Sequence, residues 1–205
     1  MRAFAEQASL FGSGEPRLDP CFPGLRRLAL GAGAWVDHQP GWLEGHDAVF
    51  EALRRTTRWE HQRRRMYERV VDVPRLVAVL PDDGPGHPVL DQAAAVLSRH
   101  YGLALTRVSL AYYRDGRDSV AWHGDRLGRL VDDTVVAILS LGEPRRFLLR
   151  PAVGGASRAF DLGWGDLLVM GGSCQRTWQH AVPKTALAGP RISAQFRPNV
   201  DDAQG

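Results

Sequence analysis

Three residues in this chain could together hold a metal ion. His123 and Asp125 lie two residues apart in SVAWHGDRLG, and His180 lies much further along in QRTWQHAVPK. Two neutral imidazoles and one carboxylate can bind iron(II) on one face and leave positions open for substrate and oxygen. A His-x-Asp spacing often arises by chance, however, and a single strand histidine is more often a core residue than a ligand. The three residues therefore form a candidate site that needs support from other features.

A pair of arginines near the end of the chain supplies a second candidate site. Arg191 and Arg197 lie six residues apart in PRISAQFRP, with Ser193 and Gln195 between them. On a strand, an even separation puts all four side chains on one face. Arginine captures carboxylates through paired hydrogen bonds, and two inward-facing arginines would be costly without an anion. The pattern predicts a dicarboxylate site if this face points inward, and an ordinary solvent-facing edge strand if it points outward.

These candidate residues lie in a series of short predicted strands. Eight segments with turn signals between them follow residue 106: RVSLAYYR, SVAWHGD, TVVAILSLG, RRFLLR, RAFDL, DLLVMGG, RTWQHAV and RISAQFR. Many short strands favour a β-sandwich or barrel. Upstream, HDAVFEALRRTTRW and DQAAAVLSRHYG have helical patterns and would support one sheet. YERVVDVPRLVAVL is predicted to be extended, because Pro74 disfavours helix at the residue before it.

Bulk composition indicates an ordinary globular protein. The chain has 205 residues, a net charge of +3, 44% hydrophobic and 24% charged residues. One domain is the natural expectation for this length. No stretch approaches the roughly 20 apolar residues of a membrane span, and the N-terminus lacks a signal-peptide core. Two cysteines, Cys21 and Cys174, make no disulfide framework. A cytoplasmic monomer is therefore the default expectation.

Arginines are concentrated between residues 54 and 75, with Trp59 and Tyr67 among them. The eight are Arg54, Arg55, Arg58, Arg63, Arg64, Arg65, Arg69 and Arg75. Such a segment could contact phosphates while its aromatic rings stack on bases. The alternative is a solvated surface in a chain that uses arginine in place of lysine, since Lys184 is its only lysine. Both interpretations stay open at this point.

Taken in order, the His-x-Asp pair, the distant histidine and the R-x5-R pair resemble the AlkB-type dioxygenases, which depend on 2-oxoglutarate and iron(II). The blocks YYRDGRDSVAWHGD, VVAILSLGEPRRFLLR, GDLLVMGGSCQRTWQHAVPK and GPRISAQFR each resemble the corresponding family block. MYERVVDVPRL resembles the strand that leads into the family's nucleotide-binding lid. The likeness covers roughly residues 59–198.

The resemblance implies an α+β, mainly β fold: a double-stranded β-helix (jelly-roll) barrel with N-terminal helices and a nucleotide-binding lid. The implied single domain comprises an N-terminal extension with a helix (1–58), the lid and its supporting helix (59–105), the jelly-roll core (106–198) and a tail (199–205).

The resemblance also implies a role for each site residue. The iron(II) ligands, which are also the catalytic residues, would be His123, Asp125 and His180. The co-substrate 2-oxoglutarate would be bound by Arg191 at its distal carboxylate, by Arg197 near its other end, and by Tyr113 and Ser193 through hydrogen bonds. The substrate contacts would be Trp59, Tyr67, Arg69, Arg75 and Arg145.

The implied reaction consumes O2 and 2-oxoglutarate, releases succinate, and hydroxylates an N-methyl group on a damaged base. The product then loses formaldehyde and leaves the repaired base. The implied partner is alkylated DNA, or RNA, and the target base must leave the stack to reach the iron. Three alternatives remain. One is a dioxygenase of the same family that acts on a modified RNA or a protein side chain. The others are a non-catalytic nucleic-acid-binding barrel and a cupin-like metal barrel, and the latter leaves both arginines of R-x5-R unexplained.

Some positions depart from the family pattern. Ala111 stands where the family often has an asparagine that contacts the co-substrate, and Ser193 and Gln195 replace its usual asparagine and threonine. Arg126 and Leu127 follow the first two ligands, where many members have an acidic residue that touches the base. The family's Tyr-x-Tyr lid motif also has no obvious counterpart in VAVLPDDGPGHPVL. These differences leave the chemistry in place and put the identity of the substrate in question.

Overall fold

A computed structural model describes residues 14–66, 69–80, 87–125 and 133–199, with the backbone alone at 62–66 and 69–72. Strands are the main secondary structure of the described residues, which contain fourteen of them. Eight of them form the major sheet: β2 (Arg26–Gly31), β3 (Ala34–Gln39), β5 (Glu60–Met66), β6 (Arg69–Val79), β7 (Arg107–Tyr113), β9 (Val136–Gly142), β12 (Leu167–Gly171) and β14 (Arg191–Arg197). Four form the minor sheet: β8 (Val120–His123), β10 (Arg145–Pro151), β11 (Arg158–Leu162) and β13 (Trp178–Val182). A separate short pair consists of β1 (Arg17–Leu18) and β4 (Leu43–Glu44).

Both sheets are antiparallel, and neither closes on itself within the described residues. The major sheet has the spatial order β2-β3-β12-β9-β14-β7-β6-β5, and the minor sheet has the order β11-β10-β13-β8. The sheets face each other across an apolar cluster to which both contribute, with members such as Ile138, Phe147, Leu149 and Met170. The result is the two-sheet sandwich expected of a jelly roll.

Three helices complete the described fold: α1 (His46–Thr56), α2 (Pro88–Tyr101) and the single-turn α3 (Cys174–Thr177). The first two pack on the outer face of the major sheet in a second core, which includes Val49, Leu53, Leu90 and Leu97. With helices on one face and the minor sheet on the other, β9 is buried along nearly its whole length. No helix in the described ranges is long and apolar enough to cross a membrane.

The eight strands predicted after residue 106 are confirmed, with small shifts at their ends. The segment predicted as RTWQHAV begins with α3, so strand β13 starts only at Trp178. Helix α2 starts at Pro88, three residues before the predicted stretch, because a proline in the first turn sacrifices no helical hydrogen bond. The major sheet also includes β2 and β3 from the predicted N-terminal extension: β3 pairs with β12, and β2 pairs with β3.

The predicted lid segment forms a hairpin at one edge of the major sheet. β5 pairs with β6 from Glu60 to Met66, and β6 continues inward to pair with β7. The backbone oxygen of Pro74 in β6 accepts a hydrogen bond from Ser119 N (2.8 Å). This bond ties the hairpin to the loop that leads directly into β8 and His123.

Candidate active site

Adjacent strands of the minor sheet bring the three predicted metal ligands together. His123 ends β8, Asp125 follows two residues later, and His180 lies opposite His123 on β13. The two imidazole rings have centroids 4.2 Å apart. One ligand atom from each of the three side chains lies within 4.8 Å of those of the other two, so a single ion could bind all three.

The turn between His123 and Asp125 depends on a glycine. A Cβ at Gly124 would lie 2.9 Å from the backbone oxygen of Gln175, which is closer than side chains are normally found. The Gln175 side chain in turn accepts a hydrogen bond from Asp125 N (3.3 Å). Helix α3 therefore packs directly on the turn and sets where the Asp125 carboxylate points.

Hydrogen bonding and burial prepare the ligands for a cation. His123 Nδ1 lies 2.8 Å from Ala121 O, and since a carbonyl can only accept, Nδ1 carries the proton and Nε2 keeps its lone pair. Burial lowers the pKa of His180 to about 3, and the positive charges of Arg197 and Arg75 contribute to the shift. His180 is therefore a neutral imidazole at physiological pH, as metal binding requires.

Asp125 is ionised for a different reason. Its burial alone would raise the pKa, but the charge and hydrogen bond of Arg197, together with the two histidines, hold the pKa below its ordinary value. Arg197 donates from Nε to Asp125 Oδ2 at 3.1 Å and from Nη2 to Oδ1 at 3.4 Å. Two neutral imidazoles and one carboxylate on adjacent strands fit iron(II), which when bound supplies the oxidation chemistry at this site.

The R-x5-R face points into the protein. Arg191 is 1% exposed, and its Nη2 donates to Ser140 Oγ at 2.7 Å. Its Nε is buried and has no hydrogen-bond partner within the described residues. Burial lowers the pKa of Arg191 to about 10, which still leaves it charged at neutral pH. A buried guanidinium with an unused donor fits a carboxylate ligand, as 2-oxoglutarate would provide.

Polar side chains on the same face form a continuous hydrogen-bonded row. Arg197 Nη1 donates to Ser109 Oγ (2.7 Å), Ser109 Oγ donates to Gln195 Oε1 (3.0 Å), and Gln195 Nε2 donates to Ser193 Oγ (2.8 Å). Tyr113 is also buried here, with the guanidinium carbon of Arg191 5.5 Å from its ring. The row links the buried end of β14 to the carboxylate of the metal site.

A single cavity of about 570 Å³ contains all of these features, and its size is typical of small-molecule sites. Its polar lining comprises the three predicted metal ligands, Tyr113, Ser109, Ser193, Gln195, and four arginines at 75, 107, 191 and 197. Every residue expected to bind metal or co-substrate therefore lies on this one cavity.

The five expected substrate contacts are distributed differently. Arg75 lines the cavity, whereas Trp59 packs on Tyr112 (ring centroids 5.2 Å apart), on the helix-covered face of the major sheet. Arg145 is 3% exposed and donates to three backbone oxygens, those of residues 115, 118 and 183. These bonds occupy its guanidinium, so neither Arg145 nor Trp59 is positioned to meet a substrate in the cavity.

The remaining expectations concern residues near the ligands. Tyr67 and the side chain of Arg69 lie outside the described residues, as do Arg126 and Leu127. Cys174 is 1% exposed inside the core between the sheets, and burial raises its pKa to about 12. A buried, protonated thiol packs like a small apolar side chain and is a poor metal ligand, so Cys174 has a structural role.

Sequence reasoning missed one residue behind the metal site. On the outer face of the minor sheet, the Arg150 guanidinium carbon lies 4.2 Å from the centre of the Trp122 ring. Arg150 also donates to Gln179 Oε1 through Nε (3.2 Å) and Nη2 (3.0 Å). Trp122 and Gln179 are the neighbours of His123 and His180, so one arginine links the two strands that carry the histidines. Only the strand order, which places β10 beside β13, could have indicated this contact.

Comparisons with known proteins agree with this site. The family model of the 2OG-Fe(II) oxygenase superfamily matches residues 44–197. Bovine alpha-ketoglutarate-dependent dioxygenase alkB homolog 3 is 30% identical over 204 residues, covering 89% of this chain and 69% of its own length. The human homolog 3 is 33% identical over 58% of this chain and 45% of its own length. The Arabidopsis thaliana DNA oxidative demethylase ALKBH2 is 34% identical over 57% of this chain and 44% of its own length.

Solved structures support the fold. The structure of OsALKBH1 superposes with a TM-score of 0.57 at 16% identity, over 85% of this chain and all of that one. A Pseudomonas putida prolyl-4-hydroxylase gives 0.53 at 18% identity, over 80% of this chain and 92% of that one. The predicted jelly roll is thereby confirmed. The family match, the sequence relatives and the geometry agree: this chain belongs to the 2OG-Fe(II) oxygenase superfamily, as an AlkB-type iron(II)- and 2-oxoglutarate-dependent dioxygenase.

Proposed function

We propose that this dioxygenase is an oxidative demethylase of N-alkylated nucleobases in DNA, and that RNA is its other possible substrate. The observation that carries the proposal is that one cavity is lined by Arg191, by the three proposed metal ligands and by Arg75 of the lid hairpin. A co-substrate carboxylate would be held at one end, and a substrate would enter past the hairpin. The relatives whose names specify DNA demethylation support the nucleic-acid assignment.

Each part of this cavity has a role in the proposed reaction. Arg191 would bind and orient the distal carboxylate of 2-oxoglutarate, while Tyr113 and Ser193 would add hydrogen bonds beside it. Arg197 would keep Asp125 ionised and aimed at the metal through its two hydrogen bonds. Apolar lining residues such as Val120, Phe147 and Met170 would limit water around the reacting methyl group. The oxidised methyl carbon would leave as formaldehyde, and the base would return to its unmethylated form.

The test is mass spectrometry of oligonucleotides that carry one methylated base each: 1-methyladenine, 3-methylcytosine, 3-methylthymine or 1-methylguanine. The same lesions are offered in DNA and RNA, with single omissions of iron(II), 2-oxoglutarate and oxygen. We expect repair of at least one lesion, with succinate and formaldehyde released, and its loss on every omission. His123→Ala removes a proposed metal ligand and should abolish all products, whereas His100→Ala, on the exposed side of α2, should retain them.

The outcomes separate the proposal from its alternatives. Repair confined to RNA would assign the enzyme to RNA. Turnover of 2-oxoglutarate that no methylated oligonucleotide stimulates would point to another substrate, such as a protein side chain. Oligonucleotide binding with no turnover under any condition would indicate a barrel that binds without catalysis. Activity retained by His123→Ala would contradict the metal site itself.

A further inference from the structure

Arg75 occupies a fixed position beside the metal site. It alternates with Val77 and Val79 along β6, and all three line the cavity. The preceding residue, Pro74, accepts the hydrogen bond from Ser119 N that ties β6 to the start of β8. The position of Arg75 relative to His123 is therefore set by the pairing of β6 with its neighbouring strands and by this hydrogen bond. Its positive charge contributes to the lowered pKa of His180.

The guanidinium of Arg75 has unused donors. Its Nε and Nη1 are buried and have no hydrogen-bond partner among the residues that the structure describes. By contrast, Arg197 is paired with Asp125, and the unpartnered Nε of Arg191 is the donor proposed for the co-substrate carboxylate. Buried donors without acceptors are costly, so the site gains free energy when a ligand places an oxygen acceptor against them.

Charge around the cavity limits which ligand can do this. Among the described residues that line the cavity, Asp125 is the one acidic side chain, and Arg197 already pairs with it. With iron(II) and dianionic 2-oxoglutarate bound, the charges of Asp125, Arg191 and Arg197 leave one net positive charge. Arg75 adds a second from a half-buried position, and Arg107 adds a third from an exposed one, where solvent screens it. A cationic base would enter against this charge, whereas a neutral base would not.

We propose that Arg75 makes this enzyme select neutral N-methylated bases that have a carbonyl oxygen next to the methylated nitrogen, over cationic methylated bases that have an amino group there. The inference rests on the proposed nucleobase demethylation and adds its substrate class. 3-Methylthymine represents the first class, because it is neutral and carries carbonyl oxygens on both sides of the methylated nitrogen. 3-Methylcytosine represents the second, because it is cationic and has an amino donor in place of the oxygen at C4. The two bases have nearly the same shape, so they differ mainly in the properties that Arg75 would read.

The experiment compares two single-stranded DNA oligonucleotides of identical sequence that carry 3-methylthymine or 3-methylcytosine at one position. Two quantities are measured for each: kcat/KM for repair by the iron-loaded enzyme, and the anaerobic Kd with Mn(II) and 2-oxoglutarate bound, by fluorescence anisotropy. We expect the wild type to favour 3-methylthymine by about tenfold or more in kcat/KM, the effect of one hydrogen bond to a charged group. The preference in Kd should have the same direction.

Variants test whether Arg75 is the cause. Arg75→Met removes both charge and donors and should bring the two substrates to near parity, and Arg75→Glu should reverse the preference. Arg107→Met removes a charge from an exposed arginine of the same cavity and should leave the preference in place. The 2-oxoglutarate Kd of Arg75→Met should match that of the wild type, which also shows that the variant is folded.

Three results would overturn the inference: a wild-type preference for 3-methylcytosine, an unchanged preference in Arg75→Met, or a 2-oxoglutarate Kd that weakens in Arg75→Met as it should in Arg191→Met. Each of these leaves base repair itself intact. Repair of neither base nor of any other methylated base would instead contradict the proposed function, and the inference with it.

Discussion

Replacing Arg191 with methionine should weaken 2-oxoglutarate binding strongly. It should not lower the stability of the protein when no 2-oxoglutarate is bound. Arg191 is 1% exposed, and its Nε has no hydrogen-bond partner in the described part of the chain. Removing one member of a buried, hydrogen-bonded charge pair costs about 2–5 kcal/mol of binding free energy. At about 1.4 kcal/mol per tenfold, the Kd for 2-oxoglutarate should rise by roughly 30-fold to several thousandfold.

The stability of the same variant provides a second readout. A buried cation without its anion opposes folding, and an apolar side chain of similar length removes that cost. The variant should therefore be at least as stable as the wild type when 2-oxoglutarate is absent. With 2-oxoglutarate at a hundred times its wild-type Kd, the wild type should gain about 2.7 kcal/mol of stability and the variant no more than about 0.9 kcal/mol.

Anaerobic calorimetric titration with Mn(II) in place of iron(II) measures the Kd, and thermal unfolding measures the stability. Arg191→Lys keeps the charge but not the planar pair of donors, and it should fall between the wild type and methionine. Arg107→Met is the matched control, since it removes one exposed arginine from the same cavity. A 2-oxoglutarate Kd for Arg191→Met close to the wild-type value would refute the assignment of this arginine as the carboxylate-binding residue.

Three further predictions concern the metal site. Between pH 6.5 and about 3, the unfolded chain binds a proton at His180 that the metal-free folded protein does not, so the free energy of unfolding should fall with decreasing pH. The contribution approaches about 1.4 kcal/mol per pH unit, and urea unfolding at several pH values should show a flatter profile for His180→Asn. Arg150→Met removes the contacts with Trp122 and Gln179, and it should lower the free energy of urea unfolding by about 1–2 kcal/mol and weaken Co(II) binding. An unchanged Co(II) affinity would show that Arg150 does not position the histidines. Gly124→Ala places a methyl group against helix α3 and should weaken Co(II) binding while the protein stays folded, and an affinity equal to wild type would show that the turn adjusts without cost.

The sequence was sufficient for residues whose role follows from strand periodicity and spacing. Arg191 and Arg197 share a face because six is an even number of strand positions, and the structure turns that face into the cavity. His123 and His180 are adjacent because β8 and β13 pair. The family resemblance implied that the two histidines share one metal, but the strand pairing that brings them together came only from the structure. The period-two pattern thus predicted directions within a strand, and the resemblance predicted which residues form one site.

The expected substrate contacts could not be resolved in the same way, because their roles depend on which long-range partner captures each side chain. Arg145 is drawn inward by three carbonyl oxygens from two loops that are distant in sequence. Trp59 follows α1 closely, and its indole donates back to Arg54 O on that helix, so it stays on the helix-covered face. Arg75 belongs to the arginine-rich segment between residues 54 and 75, but it lies on strand β6 and lines the cavity.

The ratio of repaired base to succinate in one reaction is the best test of whether this enzyme couples 2-oxoglutarate turnover to base demethylation. A single-stranded oligonucleotide with one methylated base is incubated with iron(II), 2-oxoglutarate and oxygen, and repaired base, formaldehyde and succinate are quantified together. We expect equal amounts of the three products from the wild type, and none from His123→Ala. Succinate released at the same rate whether or not the oligonucleotide is methylated, with no repaired base, would contradict this coupling.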